Sequence, residues 1–373
     1  MRGGEAKNVD VLVVGLGPAG GSAAFKAAQA GLKVLAVEKK QQIGVPVQCA
    51  EFIPLPMSAY AAEKPVRVQA VTGMQSILPS GAVEQTEFPG LIIDRQKFDE
   101  AITQNAIQAG AEVLTGAQLL DVDESKSIAT ISQKNVKTTV HYKALVAADG
   151  PHSRVAKSLG LPELDIVYTR QYTVPLLKPY ADTDIWLSDE YPGGYAWLFP
   201  KGEWANLGLG ANKAFEQDLK APLDKLHADL IKQGLLGEKI VYRTGGAIPV
   251  GGLRSKLIYN NIVFVGDAAG LTHPITGAGI SAAVMSGEMA GEALVQWLSD
   301  DEEALTDYEE EIRDQFESTL QRAVQKRQWL KQVWRTQAAQ RDDVMRQGWI
   351  AFDEYFKESP DLPEMQNQLA EVV

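Results

Sequence analysis

Val9-Asp10-Val11-Leu12-Val13-Val14-Gly15-Leu16-Gly17-Pro18-Ala19-Gly20 opens the chain with an apolar run that ends abruptly at glycine. Such a run, bounded by a turn signal, reads as a strand buried in a parallel sheet. The alanine-rich stretch Gly20–Ala30 reads as a helix stopped by Gly31, and Lys33–Val37 as a second buried strand ending at Glu38. The whole is a βαβ unit of about 30 residues. Its glycines have separate tasks. Gly15 makes the tight turn, Gly17 lets a pyrophosphate approach the backbone, and Gly20 allows the helix to pack closely on the sheet. The helix N-terminus, with Pro18 and Ala19 in its first turn, offers free N–H groups and partial positive charge to phosphates. Glu38 can accept hydrogen bonds from the adenosine ribose, and Lys39 lies beside it. Strand, helix and acidic residue together make a dinucleotide-binding fingerprint.

Two further strand-end motifs extend that reading. Ile262–Val265 is again a buried strand, followed by Gly266-Asp267-Ala268-Ala269-Gly270, then Pro274 and Gly277-Ala278-Gly279-Ile280. Here the Asp267 carboxylate is placed to bond a ribityl hydroxyl. The helix start at Gly279 points N–H groups toward the pyrimidine end of a flavin, where the reduced anion carries its charge. Asp149-Gly150-Pro151-His152-Ser153-Arg154 follows a third strand, Ala144–Ala148. Together the motifs point to FAD.

On these residues the chain resembles the p-hydroxybenzoate-hydroxylase-like group of FAD enzymes. That resemblance implies a place for Asp149-Gly150 near the FAD pyrophosphate, a contact between Arg95 and the cofactor, and docking of a nicotinamide donor nearby. Tyr195-Ala196-Trp197-Leu198-Phe199-Pro200-Lys201 resembles the YxWxFP signature of the geranylgeranyl reductase branch, and Val47-Gln48-Cys49-Ala50-Glu51 resembles its cysteine-bearing loop. The likeness spans residues 9 to about 298. The Trp-x-Phe-Pro pattern is also similar to that of flavin-dependent tryptophan halogenases, whose catalytic lysine motif is not evident here. The residues taken as catalytic are Cys49, a lone thiol able to protonate or orient substrate; Tyr195 and Trp197, an aromatic wall shared with Phe199 on one strand face; and His273, an acid/base candidate near pH 7. Gln48 and Glu51 are the polar neighbours of Cys49 in its loop.

The expected fold is α/β (α+β overall): a Rossmann-type βαβ domain for FAD, interleaved with a β-rich substrate domain and followed by a helical C-terminus. The boundaries read as 1–60, 91–160 and 245–300 for the FAD domain, 61–90 and 161–244 for the substrate domain, and 301–373 for the C-terminal helices. Asp94 is placed to cap a helix through Ala109, Gln41–Pro89 reads as irregular, and residues 195–210 read as a hairpin. The last region carries Trp329, Trp334 and Trp349 among charged residues, a pattern that suits docking onto the body of the protein or onto a partner.

Composition narrows the function. The single cysteine excludes an intramolecular disulfide and a disulfide-reducing cysteine pair, and the four histidines are scattered, so no metal site is expected. A net charge of −12 over 373 residues repels nucleic acid and anionic lipid headgroups alike. No transmembrane run or signal segment is evident, which predicts a cytoplasmic protein. No second GxGxxG is present, so the flavin takes electrons transiently from NAD(P)H or from a protein donor. Acidity and the tryptophan-bearing tail favour a soluble aromatic substrate, even a protein-borne one, such as tryptophan oxidised during tryptophylquinone maturation of a partner quinoprotein oxidase. Two alternatives stay open: reduction of geranylgeranyl double bonds, and a non-catalytic escort that keeps the flavin fold.

Overall fold

Val11, Leu12, Val13 and Val14 are all buried, which requires both faces of their strand to be covered. In the computed structural model, which describes residues 5–62, 65–212, 215 and 218–359, strand β1 (Lys7–Val14) lies between two parallel neighbours. They are β2 (Val34–Glu38) on one side and the strand Val136–Ala147 on the other. Glu112–Thr115 extends the sheet beyond β2, and Ile262–Phe264 with Ile258–Tyr259 extends it beyond Val136–Ala147. The β1, β2, Val136–Ala147 and Ile262–Phe264 strands run parallel, so Val14, Glu38, Ala147 and Phe264 end at one edge. Ligands of open parallel sheets bind at that edge.

Helix α1 (Pro18–Gln29) begins with proline at its first turn and packs against the helix Ile280–Trp297. The approach is a backbone one. A Cβ on Gly287 would sit 2.1 Å from the Ala19 carbonyl oxygen, and one on Gly291 would sit 2.9 Å from that of Ala23. The start of the chain and its last third are thereby locked together.

The second sheet has nine strands, running from Tyr242–Thr244 through Ile166–Pro175, Trp204–Ala211, Ala196–Lys201, Thr183–Trp186, Arg67–Ile77 and Val83–Ile93 to Phe52–Pro54, with Ala247–Pro249 paired alongside Ile166–Pro175. The expected hairpin is present, with Lys201 opposite Trp204 across a turn where Gly202 has φ +65°. The irregular reading of Gln41–Pro89 is corrected: Arg67–Ile77 and Val83–Ile93 are 11-residue antiparallel strands. Register shifts near Arg67 and at Val71–Gly73 break the alternation. Thr72 and Gln85 are exposed, while Gln69 is half-buried among them.

The chain passes from the first sheet to the second and back twice, so the two layers are interleaved. The Asp94 carboxylate accepts from the Lys97 N–H at 3.0 Å and caps the helix Arg95–Gln108. A 30-residue helix, Ala304–Val333, lies across both cores: Leu305, Tyr308, Ile312 and Leu320 join the first, Ala323, Leu330 and Val333 the second. Trp329, Trp334 and Trp349 pack with that second core, on the body of the protein. Residues 360–373 of the expected C-terminal region lie outside the described residues. Among the described residues no helix is long and apolar enough to cross a membrane, and no group of His, Cys, Asp or Glu could hold a metal ion.

Candidate functional site

One cavity of about 1670 Å³ runs along the carboxyl edge of the first sheet and under the second. Drug-sized pockets span about 300–1,000 Å³, so this space is large enough for more than one small molecule. It is bordered by Gly15, Gly17, Pro18, Ala19, Glu38, Lys39, Arg95, Asp149, Gly150, Asp267, Gly277, Ala278, Gly279 and Ile280. Cys49, Tyr195, Trp197 and His273 border the same cavity. Gly20 and Gly266 do not border it. A Cβ on Gly20 would lie 1.9 Å from the Gly15 carbonyl oxygen, and the Gly266 N–H donates to Ser286 Oγ, so both serve the packing beneath.

The residues fit an extended dinucleotide. Gly17 has φ −78°, open to any residue, and a Cβ there would meet no protein atom within 4 Å. Neither backbone conformation nor packing requires glycine at this position, so the space beside it is open to a ligand. Gly15, by contrast, has φ +97° and would strike the Ala148 carbonyl oxygen at 2.3 Å. No side chain caps α1 or the helix Ile280–Trp297, which leaves their first N–H groups directed at the cavity. Glu38 is fixed by N–H donation from Leu16 at 3.0 Å and Lys40 at 2.9 Å. Asp149 takes the Arg154 and Val155 N–H groups on Oδ2, while its Oδ1 is buried without a partner. Thr272 Oγ1 donates to Asp267 at 2.6 Å, and burial pushes the Asp267 carboxyl up.

Beside this cradle the Cys49 loop is held by charges. Glu51, 2% exposed and at φ +72°, accepts from Lys201 Nζ at 2.8 and 2.7 Å, from Asn206 Nδ2 at 2.8 Å and from the Arg95 N–H at 2.9 Å. Its own N–H donates to Cys49 Sγ at 3.2 Å. Burial pushes the Cys49 thiol up against the pull of the Arg95 guanidinium, so the thiol keeps its proton at neutral pH. Arg95 makes a two-point ion pair with Asp99, both bonds 3.1 Å. Burial opposes its charge, but the Asp99 carboxylate outweighs that and holds the guanidinium protonated. Gln171 links the loop to the aromatic strand: its Nε2 donates to the Cys49 carbonyl at 3.0 Å, and its Oε1 accepts from Trp197 Nε1 at 3.1 Å.

Tyr195, Trp197 and Phe199 all border the cavity, and they also belong to the second core, so one face is both wall and packing. Gly208 makes room for Trp197: a Cβ there would lie 2.4 Å from the indole. His273 sits below the pH 7 range expected of an acid/base. Its Nδ1 accepts the Ile275 and Thr276 N–H groups at 3.3 and 3.2 Å, and burial lowers its pKa to about 4, so the ring stays neutral and braces the loop. Lys201, Asn206, Gln171 and Asp99 were not among the sequence candidates. Only Lys201 carried a signal, as the residue directly after Pro200 in the aromatic motif.

Comparison with known proteins agrees with this geometry. The pyridine nucleotide-disulphide oxidoreductase model matches residues 9–196, the geranylgeranyl reductase catalytic domain residues 165–247, and the lycopene cyclase protein model residues 215–358. Digeranylgeranylglycerophospholipid reductase 1 of Methanopyrus kandleri is 35% identical over 83% of this chain and 88% of its own length. The digeranylgeranylglycerophospholipid reductase of Methanocella arvoryzae is 35% identical over 83% and 84%. A crystal structure of a geranylgeranyl bacteriochlorophyll reductase-like protein from Thermoplasma acidophilum superimposes with TM-score 0.81 at 28% identity, covering 99% of this chain and 100% of that one. CmlS, a flavin-dependent halogenase, shares the fold at TM-score 0.73 and 16% identity, over 98% of this chain and 70% of its own. The chain belongs to the geranylgeranyl reductase family and is an FAD-dependent oxidoreductase.

Proposed function

We propose that this protein reduces carbon–carbon double bonds of a geranylgeranyl-type isoprenoid lipid. The observation that carries the proposal is an apolar arm continuous with the dinucleotide cradle. Phe52, Met74, Phe88, Ile185, Trp197 and Phe199 border it, on one face of the second sheet. A prenyl chain has no polar group to satisfy along its length, so apolar walls suffice to bind it, at about 25 cal/mol per Å² removed from water. The relatives named as digeranylgeranylglycerophospholipid reductases support the same substrate class.

FAD, when bound, would supply the hydride that alkene reduction requires. The residues named earlier for its cradle, from Gly15 to Ile280, would hold it. The chain's own task is then to orient and to protonate. Cys49 holds a proton at Sγ, and Arg95 and the Glu51 N–H fix where that sulfur sits. Tyr195 and Trp197 exclude water from the alkene and align it. With no second nucleotide fold in the sequence, NAD(P)H or a protein donor would deliver electrons at the same cavity. The reading as an oxidase of protein-borne tryptophan, with a quinoprotein oxidase as partner, has no comparable support, because the halogenase likeness carries the fold alone. The escort reading predicts a colourless protein.

The test is anaerobic turnover. Purified protein loaded with FAD and reduced with dithionite should saturate geranylgeranyl chains catalytically, read by mass gain of 2 Da per bond. Absence of any mass gain with retained flavin absorbance rejects the proposal.

A further inference from the structure

We infer that Trp349 is a specificity-determining residue: with Ile350 it forms a wall that the C-terminal segment brings to the apolar arm, and it sets how much apolar chain the arm can hold. The inference rests on the reading of that arm as the place of an isoprenoid chain, and it assigns a task to a tryptophan that lies outside all three strand-end motifs.

After the long helix ends at Val333, the chain turns back through the short helix Asp342–Gln347 and delivers Trp349 and Ile350 to the border of the same cavity that holds the Gly17 cradle. Trp349 is 3% exposed. Its ring meets Tyr195 edge-on, with centroids 4.9 Å apart and planes at 62°, and Tyr195 meets Trp197 in the same manner at 5.7 Å and 60°. The Tyr195 hydroxyl donates to the Thr276 carbonyl, so a chain of rings runs from the C-terminal segment to the loop beside the cofactor cradle. Trp349 is the outermost ring of that chain.

The wall is held in place from behind and from both sides. A Cβ on Gly348 would lie 2.7 Å from Leu330, so the backbone before Trp349 rests directly on the long helix. Asp342 accepts from the Ser80 N–H at 3.0 Å and from Ser80 Oγ at 2.6 Å, and Arg346 pairs with Glu84 at 2.8 Å and Glu354 at 2.9 Å. The Ser80 and Glu84 bonds tie the segment to the hairpin Arg67–Ile77/Val83–Ile93, whose Met74 and Phe88 border the arm on another side. The Trp349 indole N–H has no acceptor among the described residues, so packing alone sets its place. Replacing it therefore strands no hydrogen-bond partner. Hydrophobic pockets discriminate between chains by filled volume, about 10- to 200-fold per methylene-sized difference.

The experiment compares wild type, Trp349→Ala and Trp349→Phe as FAD-loaded proteins, with absorbance near 450 nm as the check of folding. The first readout needs no turnover. Saturated n-alkanols of increasing length are titrated while the flavin difference spectrum is followed, and the length at which affinity stops rising is recorded. W349A should move that length to longer chains, and W349F should leave it near the wild-type value. The second readout is the ratio of kcat/KM for geranylfarnesol over geranylgeraniol, which W349A should raise at least about tenfold. An unmoved alkanol cut-off in W349A overturns the inference. A wild type that binds alkanols with a cut-off but reduces neither prenol rejects the isoprenoid reduction instead, and leaves the wall to be decided by the cut-off alone.

Discussion

Lys201→Met removes the lysine that pairs with a buried carboxylate. Glu51 is 3% exposed in its side chain and Lys201 21%, and their two bonds measure 2.8 and 2.7 Å. Removing one partner of a buried pair costs about 3–5 kcal/mol, because the other charge is left without compensation. Solvent reaches Lys201, which places the expected cost at the lower end, about 3 kcal/mol. Unfolding entropy near 2.1 cal/mol/K per residue over this chain makes that loss a fall in Tm of about 4 °C. Glu51→Gln with Lys201→Met removes both charges while the amide oxygen still accepts from the Arg95 N–H. The double variant should recover more than half of the loss. Thermal unfolding of the four proteins closes the cycle. Because the Glu51 N–H donates to Cys49 Sγ, K201M should also speed alkylation of Cys49 by iodoacetamide. A fall in Tm under about 1 °C, or a double variant no more stable than K201M, refutes the claim that this pair holds the Cys49 loop.

Gly17→Val should leave the apoprotein as stable as wild type but prevent FAD uptake, since its side chain would meet no protein atom and would fill space the dinucleotide needs; Gly15→Ala should destabilise the apoprotein itself, with its Cβ 2.3 Å from a carbonyl oxygen. Calorimetry and flavin content separate the two, and stoichiometric FAD in G17V would disprove the cradle. Trp197→Ala should keep FAD and lose turnover; unchanged kinetics would reduce Trp197 to packing. His273→Asn should leave the shape of the pH–rate profile between pH 5 and 8 unaltered, because burial lowers the imidazole pKa to about 4. Burial, joined by the nearby Asp182 charge, raises Asp184 to about 7 despite hydrogen bonds from the Tyr180 hydroxyl. The folded state thus binds a proton between pH 3.8 and 7 that the unfolded chain has released. Its contribution, roughly 4 kcal/mol at full extent, is present below 3.8 and is lost as pH rises through 7. Asp184→Asn should therefore gain on wild type in urea midpoint between pH 5 and 8, and a difference independent of pH would count against it.

What could be read from the chain was local. The fingerprint around Gly15–Gly20 is legible because strand, turn and helix are contiguous, and Gly15 and Gly20 answer constraints that short-range geometry imposes. Asp267 and Gly279 are legible for the same reason, once the first motif tells the reader what to seek. Glu51 and Lys201 are 150 residues apart, and nothing in either neighbourhood marks them as partners. Their pairing is a consequence of the second sheet, which sets the Ala196–Lys201 strand over the Cys49 loop. The strands Arg67–Ile77 and Val83–Ile93 escaped because register shifts interrupt the alternation that announces a strand.

The net charge of −12 does not decide between an aromatic and an isoprenoid substrate, for a physical reason. Net charge describes the field outside the molecule, which governs encounters with polyanions and charged bilayers. Affinity for a hydrocarbon chain is fixed by apolar area removed from water inside a cavity, where a surface carboxylate screened over about 8 Å of physiological saline has little say. The two quantities are independent, so an acidic exterior never argued against an apolar substrate. It argues only about how such a substrate arrives. On the proposed reading, a protein that repels anionic headgroups would take its lipid from a neutral surface, from a carrier or as a desorbed monomer. Turnover of geranylgeranyl lipid presented in neutral vesicles should therefore exceed turnover from vesicles of equal lipid content made anionic, and the gap should close as salt is raised toward 1 M, where the screening length falls to about 3 Å. Faster turnover from the anionic vesicles at low salt would show that a local cationic face, and not the whole-molecule charge, governs delivery.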